Sequence, residues 1–250
     1  MKRPMINAGK ILLALGLLIL LSRSAPAFEF DMLNLKVPSQ QDDKTTVLSI
    51  NHRFYGKLED DPIAGADVHL GMKYVVRPRI ELEGSYTSFQ NEYNLGAGYQ
   101  FLKTFPVQGE ISAGYFDYKD AGLPNRSDGV FYLLSLKTEP VFDAIVPVAN
   151  LGYDDYNKRS GLGLGLSAGF NADIGPVKNI NLIGEYYPLG NAEPGITRDK
   201  RAFALGIEFG TAGHTFALLA GNSTEIGVRR LMLGAPDNKL HFGFNINRKF

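Results

Sequence analysis

The chain has 250 residues, with 26 Lys and Arg balanced by 26 Asp and Glu, 28 glycines and neither cysteine nor tryptophan. Balanced charge excludes the basic footprint of a nucleic-acid binder. The lack of cysteine excludes a disulfide framework, a thiolate metal site, c-type haem attachment and a lipidated N-terminal cysteine.

The N-terminus reads as an export signal. Lys2, Arg3 and Lys10 precede an apolar run from Ile11 to Leu21, followed by an Ala25-Pro-Ala27 ending. A basic head, a short apolar stretch and a small-residue A-x-A site make a secretory signal peptide, with cleavage expected after Ala27. The apolar run has eleven residues, too few for the roughly 20 that a spanning helix needs. Cleavage would leave 223 residues, one domain by length, and would shift the formal charge from 0 to −4 by removing Lys2, Arg3, Lys10 and Arg23. Residues 28–44 read as a polar, weakly structured periplasmic leader.

Beyond the signal no run of 18 apolar residues exists. What recurs is segments of about ten residues that alternate apolar and polar, separated by turn signals, as barrel strands do. The alternation predicts strands over 45–56, 66–76, 79–87, 92–101, 106–118 and 129–138. A seventh over 144–153 is weakened by Pro147, which removes a ladder donor. The eighth alternates leucine with glycine from Gly161 to Asn171; no helix pattern follows, so a phosphate-cradling loop is not the reading. Strands over 179–187, 200–209 and 213–222 come next. The last, from Leu240 to Phe250, sets Leu240, Phe242, Phe244, Ile246 and Phe250 on one face against His241, Gly243, Asn245, Asn247 and Lys249. The chain ends on this strand with nothing after it to cover the oily side. The closing strand of an outer-membrane barrel has that form: lipid covers the oily face and the first strand pairs with the free edge.

The pattern therefore predicts an all-β fold, a closed antiparallel up-and-down transmembrane barrel of about twelve strands over residues 45–250. An even count places both ends on one side, the periplasm for an exported barrel. Joins after even strands are compact. Joins after odd strands are longer and polar, apart from Ser88-Phe-Gln-Asn91. The join from Ser223 to Lys239 carries Ile226, Val228, Leu231, Met232 and Leu233, and is expected to hold a short helix or to fold over the mouth.

Gly210-Thr-Ala-Gly-His214-Thr-Phe216 through Gly221-Asn-Ser223, followed by Phe242-Gly-Phe-Asn-Ile-Asn-Arg248, resembles an uncharacterised family of bacterial outer-membrane β-barrels. Members carry a similar GGH-x-F…NS strand and an FGFNISR-x-F ending. Ile50-Asn-His52-Arg-Phe54 and the region from Tyr55 to Gly71 also look like that family. Ala212 and Asn247 depart from the pattern. The resemblance implies the barrel and, the family being of unknown function, no substrate.

If the registers hold, the inner wall gathers Arg53, Asp67, Lys73, Arg79, Glu81, Glu83, Glu110, Lys137, Glu185 and Glu208. Such charges are expected to face inward, since facing lipid costs Arg or Lys about 2–4 kcal/mol at the midplane. Two readings stay open: a narrow polar path for small solutes, or a salt-bridged filling of the lumen in a barrel of structural role. A membrane-embedded hydrolase is the alternative from another class. Glu81 and Glu83 share a face, and His52, His69, His214 and His241 offer bases. No G-x-S-x-G nucleophile motif appears, so no catalytic residue is assigned and the protein is not expected to be an enzyme. A soluble exported β-sandwich that binds a ligand is the third reading. The acidic groups Glu59-Asp-Asp61 and Asp154-Asp155 read as solvated loops, so no metal and no cofactor is expected. The expected partners are outer-membrane lipid and the barrel-assembly machinery, which the C-terminal strand would address.

Overall fold

The computed structural model describes residues 30–38, 42–103, 106–119, 126–142, 144–189, 198 and 200–250. The expected signal peptide, residues 1–27, lies outside the described residues. Twelve strands form one closed barrel in which every strand pairs with its sequence neighbours and β1 closes on β12. The strands are β1 (Thr46–Lys57), β2 (Ala66–Arg77), β3 (Ile80–Thr87), β4 (Glu92–Leu102), β5 (Val107–Lys119), β6 (Arg126–Thr138), β7 (Ile145–Asp154), β8 (Arg159–Ile174), β9 (Val177–Leu189), β10 (Phe203–Thr211), β11 (His214–Gly221) and β12 (His241–Lys249). One short helix, α1 (Val228–Met232), lies in the long connection between β11 and β12.

The seam is antiparallel, from Val47↔Lys249 through Arg53↔Gly243 to Lys57↔His241. Thr46 and Phe250 exchange both backbone hydrogen bonds, at 3.2 and 2.9 Å. The final aromatic is thus fastened to the start of the first strand, and no sheet edge is left to template aggregation.

Alternation sorts the side chains. Leu70, Met72, Leu82, Leu95, Ile111, Leu166, Leu205 and Leu218 are exposed on the outside, whereas Arg53, Asp67, Glu81, Glu110, Asn150, Asn181 and Asn245 are buried on the inside. An outside this apolar is stable only where hydrocarbon replaces water. Pro147 is accommodated because the β6–β7 ladder ends at Lys137↔Val148, one residue short of it, while Pro147 pairs with Leu166 of β8.

Two details depart from the sequence reading. The join between β7 and β8 spans only residues 155–158, since the flanking strands run to Asp154 and start at Arg159; it is a second compact join after an odd strand. The stretch 30–38 is no polar leader: Met32, Leu33, Leu35 and Val37 are buried in the main apolar cluster. Its five apolar residues find inside the barrel the cover that water cannot supply.

Candidate functional site: the filled lumen

The segment 30–38 turns back on itself within the barrel, with Met32 N–H donating to the Leu35 carbonyl at 3.0 Å and Val37 N–H to Asp31 Oδ1 at 2.9 Å. It fits because glycines stand where the wall comes closest to it. A Cβ placed on Gly163 of β8 would lie 2.5 Å from Leu35, one on Gly165 2.6 Å from Met32, and one on Gly206 of β10 2.9 Å from Leu33. The leucine–glycine alternation of β8 therefore does two things: leucine faces out, and glycine leaves room for the plug. Around these glycines the wall is apolar, with Leu133, Val146, Val148, Ile183, Tyr187, Ala204, Ala217 and Leu219 in the same buried cluster.

Side chains of the wall also satisfy the plug's backbone, as burial demands. Asn150 accepts from the Lys36 N–H at 2.8 Å and donates to the Lys36 carbonyl at 2.8 Å. Glu185 accepts the N–H groups of Asn34 and Leu35 at 2.8 and 2.9 Å. Arg53 donates to the Leu33 carbonyl at 3.2 Å and to Asn34 Oδ1 at 2.9 Å, and Asn245 donates to the same Leu33 carbonyl at 2.8 Å.

Lys36 is the charged centre of the plug. Its Nζ lies 2.8 Å from Glu81, 3.0 Å from Glu83 and 3.0 Å from Glu110. Burial disfavours the ammonium, but the Glu83, Glu81 and Glu110 carboxylates outweigh that and hold its pKa well above the ordinary lysine range. Lys73 adds a second tie, with Nζ 3.2 Å from Asp31 and 3.7 Å from Glu81.

A second element closes the mouth on the loop side. Arg229 of α1 is 2.7 Å from Glu92 of β4 and 3.1 Å from Asp154 of β7, and Arg230 bonds the same Glu92 carboxylate. The Arg229 guanidinium stacks 3.9 Å from the Phe116 ring centroid, and Arg230 4.5 Å from that of Tyr118. Met232 packs onto Gly152 and Gly161, again where glycine leaves space. The root of this loop is held by fully buried Asn222, which accepts from Phe203 N–H at 2.8 Å and donates to the Arg201 and Asp237 carbonyls.

Between plug, loop and the wall of β12 and β1–β6 remains a cavity of about 240 Å³, lined by apolar as well as polar side chains. That is just below the roughly 300–1,000 Å³ of pockets that take drug-sized ligands.

Nine of the ten wall residues singled out from the sequence face the interior. Arg53, Asp67, Glu81, Glu110, Lys137, Glu185 and Glu208 are buried, and Lys73 and Glu83 partly so. Arg79 does not: it sits exposed in the two-residue turn between β2 and β3 with φ of 82°. The register shift between Val75 and Arg77 ends the alternation just before it. Glu81 and Glu83 form no free carboxylate pair, since both bind Lys36. Asp154 is no solvated loop residue but a buried partner of Arg229. On the closing strand Phe242, Phe244 and Ile246 face outward half-buried and Phe250 is exposed. His52 stacks on Phe244 across the seam, with ring centroids 5.0 Å apart.

Residues 148–250 match the model of a family described as "Membrane bound beta barrel domain (DUF5777)". The match runs from within β7 through β12. No curated protein matches the sequence. Among solved structures the barrel is similar to LpxR from Salmonella typhimurium, at 9% identity and a TM-score of 0.47, over 82% of this chain and 99% of that one. It is also similar to outer membrane phospholipase A from Escherichia coli, at 12% identity and a TM-score of 0.46, over 92% and 95%. A mutant Rh. blastica porin aligns at 13% identity and a TM-score of 0.34, over 74% of this chain; the barrel spans 55% of that porin's length. At these identities the likeness is one of fold alone.

Proposed function

We propose that the protein is an outer-membrane barrel that acts as a narrow channel for small solutes, held shut by its own N-terminal segment. An N-terminal signal peptide cleaved after Ala27 would deliver it, lipid would cover the outward apolar rows, and the strand ending on Phe250 would engage the barrel-assembly machinery. The observation that carries the channel reading is the nature of the closure. Residues 30–38 have no covalent tie to the wall, the chain having no cysteine, and they leave a cavity beside them lined in part by charged and carboxamide side chains. Mixed charge on the wall suits small solutes with weak ion preference.

Single-channel recording in planar bilayers tests this. The full chain is expected to stay mostly silent, and a variant lacking residues 30–38 to show uniform conductance steps. A deletion variant that still shows heat-modifiable migration on a gel yet passes no current would refute the channel and leave a barrel of structural role.

A further inference from the structure

We infer that the cavity beside the plug is a binding site for a small neutral polyhydroxylated solute, of the size and chemistry of a monosaccharide. Every charge on its lining already has a counter-charge. Lys73 is paired with Asp31, Lys36 with Glu83, and Arg229 and Arg230 with Glu92. An ionic solute entering here would have to break one of those pairs, which in a poorly hydrated site costs more than exchanging neutral hydrogen bonds.

What the wall offers instead is carboxamides and hydroxyls. Ser49, Asn51, Asn94 and Ser112 line the cavity from β1, β4 and β5. The Asn51 carboxamide oxygen is buried and, among the described residues, accepts no hydrogen bond. A buried acceptor left unmatched is costly; with its carboxamide turned toward the cavity, Asn51 would accept from a solute hydroxyl. The plug adds Phe30 and Met32 to the lining, giving an apolar surface for the C–H face of a sugar ring. Amide and hydroxyl edges combined with one aromatic or apolar face are complementary to a pyranose and not to an ion.

The space is kept open by a glycine. A Cβ on Gly114, which lines the cavity from β5, would meet nothing nearer than 3.6 Å, a backbone carbonyl oxygen. A large side chain there would therefore grow into the cavity without straining the strand.

This assignment deepens the channel reading and rests on it for the fate of the bound solute; the site itself is tested without conduction. The full chain, folded in detergent micelles, is dialysed to equilibrium against radiolabelled glucose, glucuronate or glucosamine. Glucose retention is expected in the wild type, with charged analogues retained at least ten-fold less. Gly114→Phe should abolish retention, and Asn51→Leu should reduce it at least five-fold, while both variants keep heat-modifiable migration. No glucose retention by wild type, retention unchanged in Gly114→Phe, or tighter binding of glucuronate would each overturn the assignment. Glucose retention together with a silent deletion variant would instead sink the channel and leave the site.

Discussion

The two sides of the lumen are built differently. Against β8–β10 the plug meets glycines in a largely apolar wall, with Leu33, Leu35 and Met32 seated where a Cβ would collide and the Glu185 carboxylate accepting two backbone N–H groups. Against β1–β5 it meets charge pairs, carboxamides and a cavity. The first side supplies adhesion, because burying apolar area is non-directional and worth about 25 cal/mol per Å². The second supplies register, because its ion pairs are satisfied in one placement only. A segment held by shape on one side and by polar matching on the other can be released by disturbing either.

The largest effect should come from filling the dry side. Gly165→Leu drives a side chain into Met32 and Leu35, so the variant is expected to conduct like the deletion of residues 30–38, with an open probability at least ten-fold above wild type in bilayers. Gly114→Leu, on the wet side, should leave the plug in place; equal opening by both variants would abolish the distinction between the sides.

Next comes the charged centre. Lys36→Met takes the nearest cation from buried Glu81 and Glu110, with Lys73 at 3.7 Å still beside Glu81, and breaking a buried pair in this way costs about 3–5 kcal/mol. The loss is expected in the midpoint of urea unfolding in micelles. A change under about 1 kcal/mol would show that the cage does not hold the plug.

A smaller effect is expected at the mouth. Glu92→Gln removes the carboxylate shared by Arg229 and Arg230, but Arg229 keeps Asp154 and the Phe116 ring. Losing hydrogen bonds to a charged group is worth about 1.5–3 kcal/mol. The loop should then fray enough for trypsin to cut at Arg229 or Arg230, which are buried in the wild type and expected to be resistant there; equal resistance in the variant would show that Glu92 does not fasten α1.

The smallest expected change is with pH. The Lys36 pKa is raised, so its contribution is complete below the ordinary lysine range and is lost only as pH climbs through the raised value. Conductance should thus be flat between pH 7 and pH 9 as far as this group is concerned, and opening within that window in wild type but not in Lys36→Met would contradict the assignment.

Much of this was legible in the residues. Period-two alternation located all twelve strands, and the cost of placing charge against hydrocarbon put nine of ten charged candidates inside. Arg79 escaped because a turn obeys φ and not alternation. The plug escaped for a different reason: five apolar residues from Phe30 to Val37 lie among polar neighbours, and no local rule names the wall they meet. A signal for it lay elsewhere in the chain. Leu133-Leu134, Ile145-Val146, Leu182-Ile183 and Leu218-Leu219 interrupt the alternation, and a strand apolar on both faces needs cover on both.

The sequence by itself determined a closed twelve-stranded barrel with an apolar outside, because side-chain period and hydration cost are local properties of each strand. Only the tertiary structure decided that the lumen is occupied, that Lys36 meets three carboxylates drawn from two strands, and that Arg229 reaches Glu92 across 137 positions. Such contacts join residues that no local rule relates, and they exist only once the barrel has closed around them.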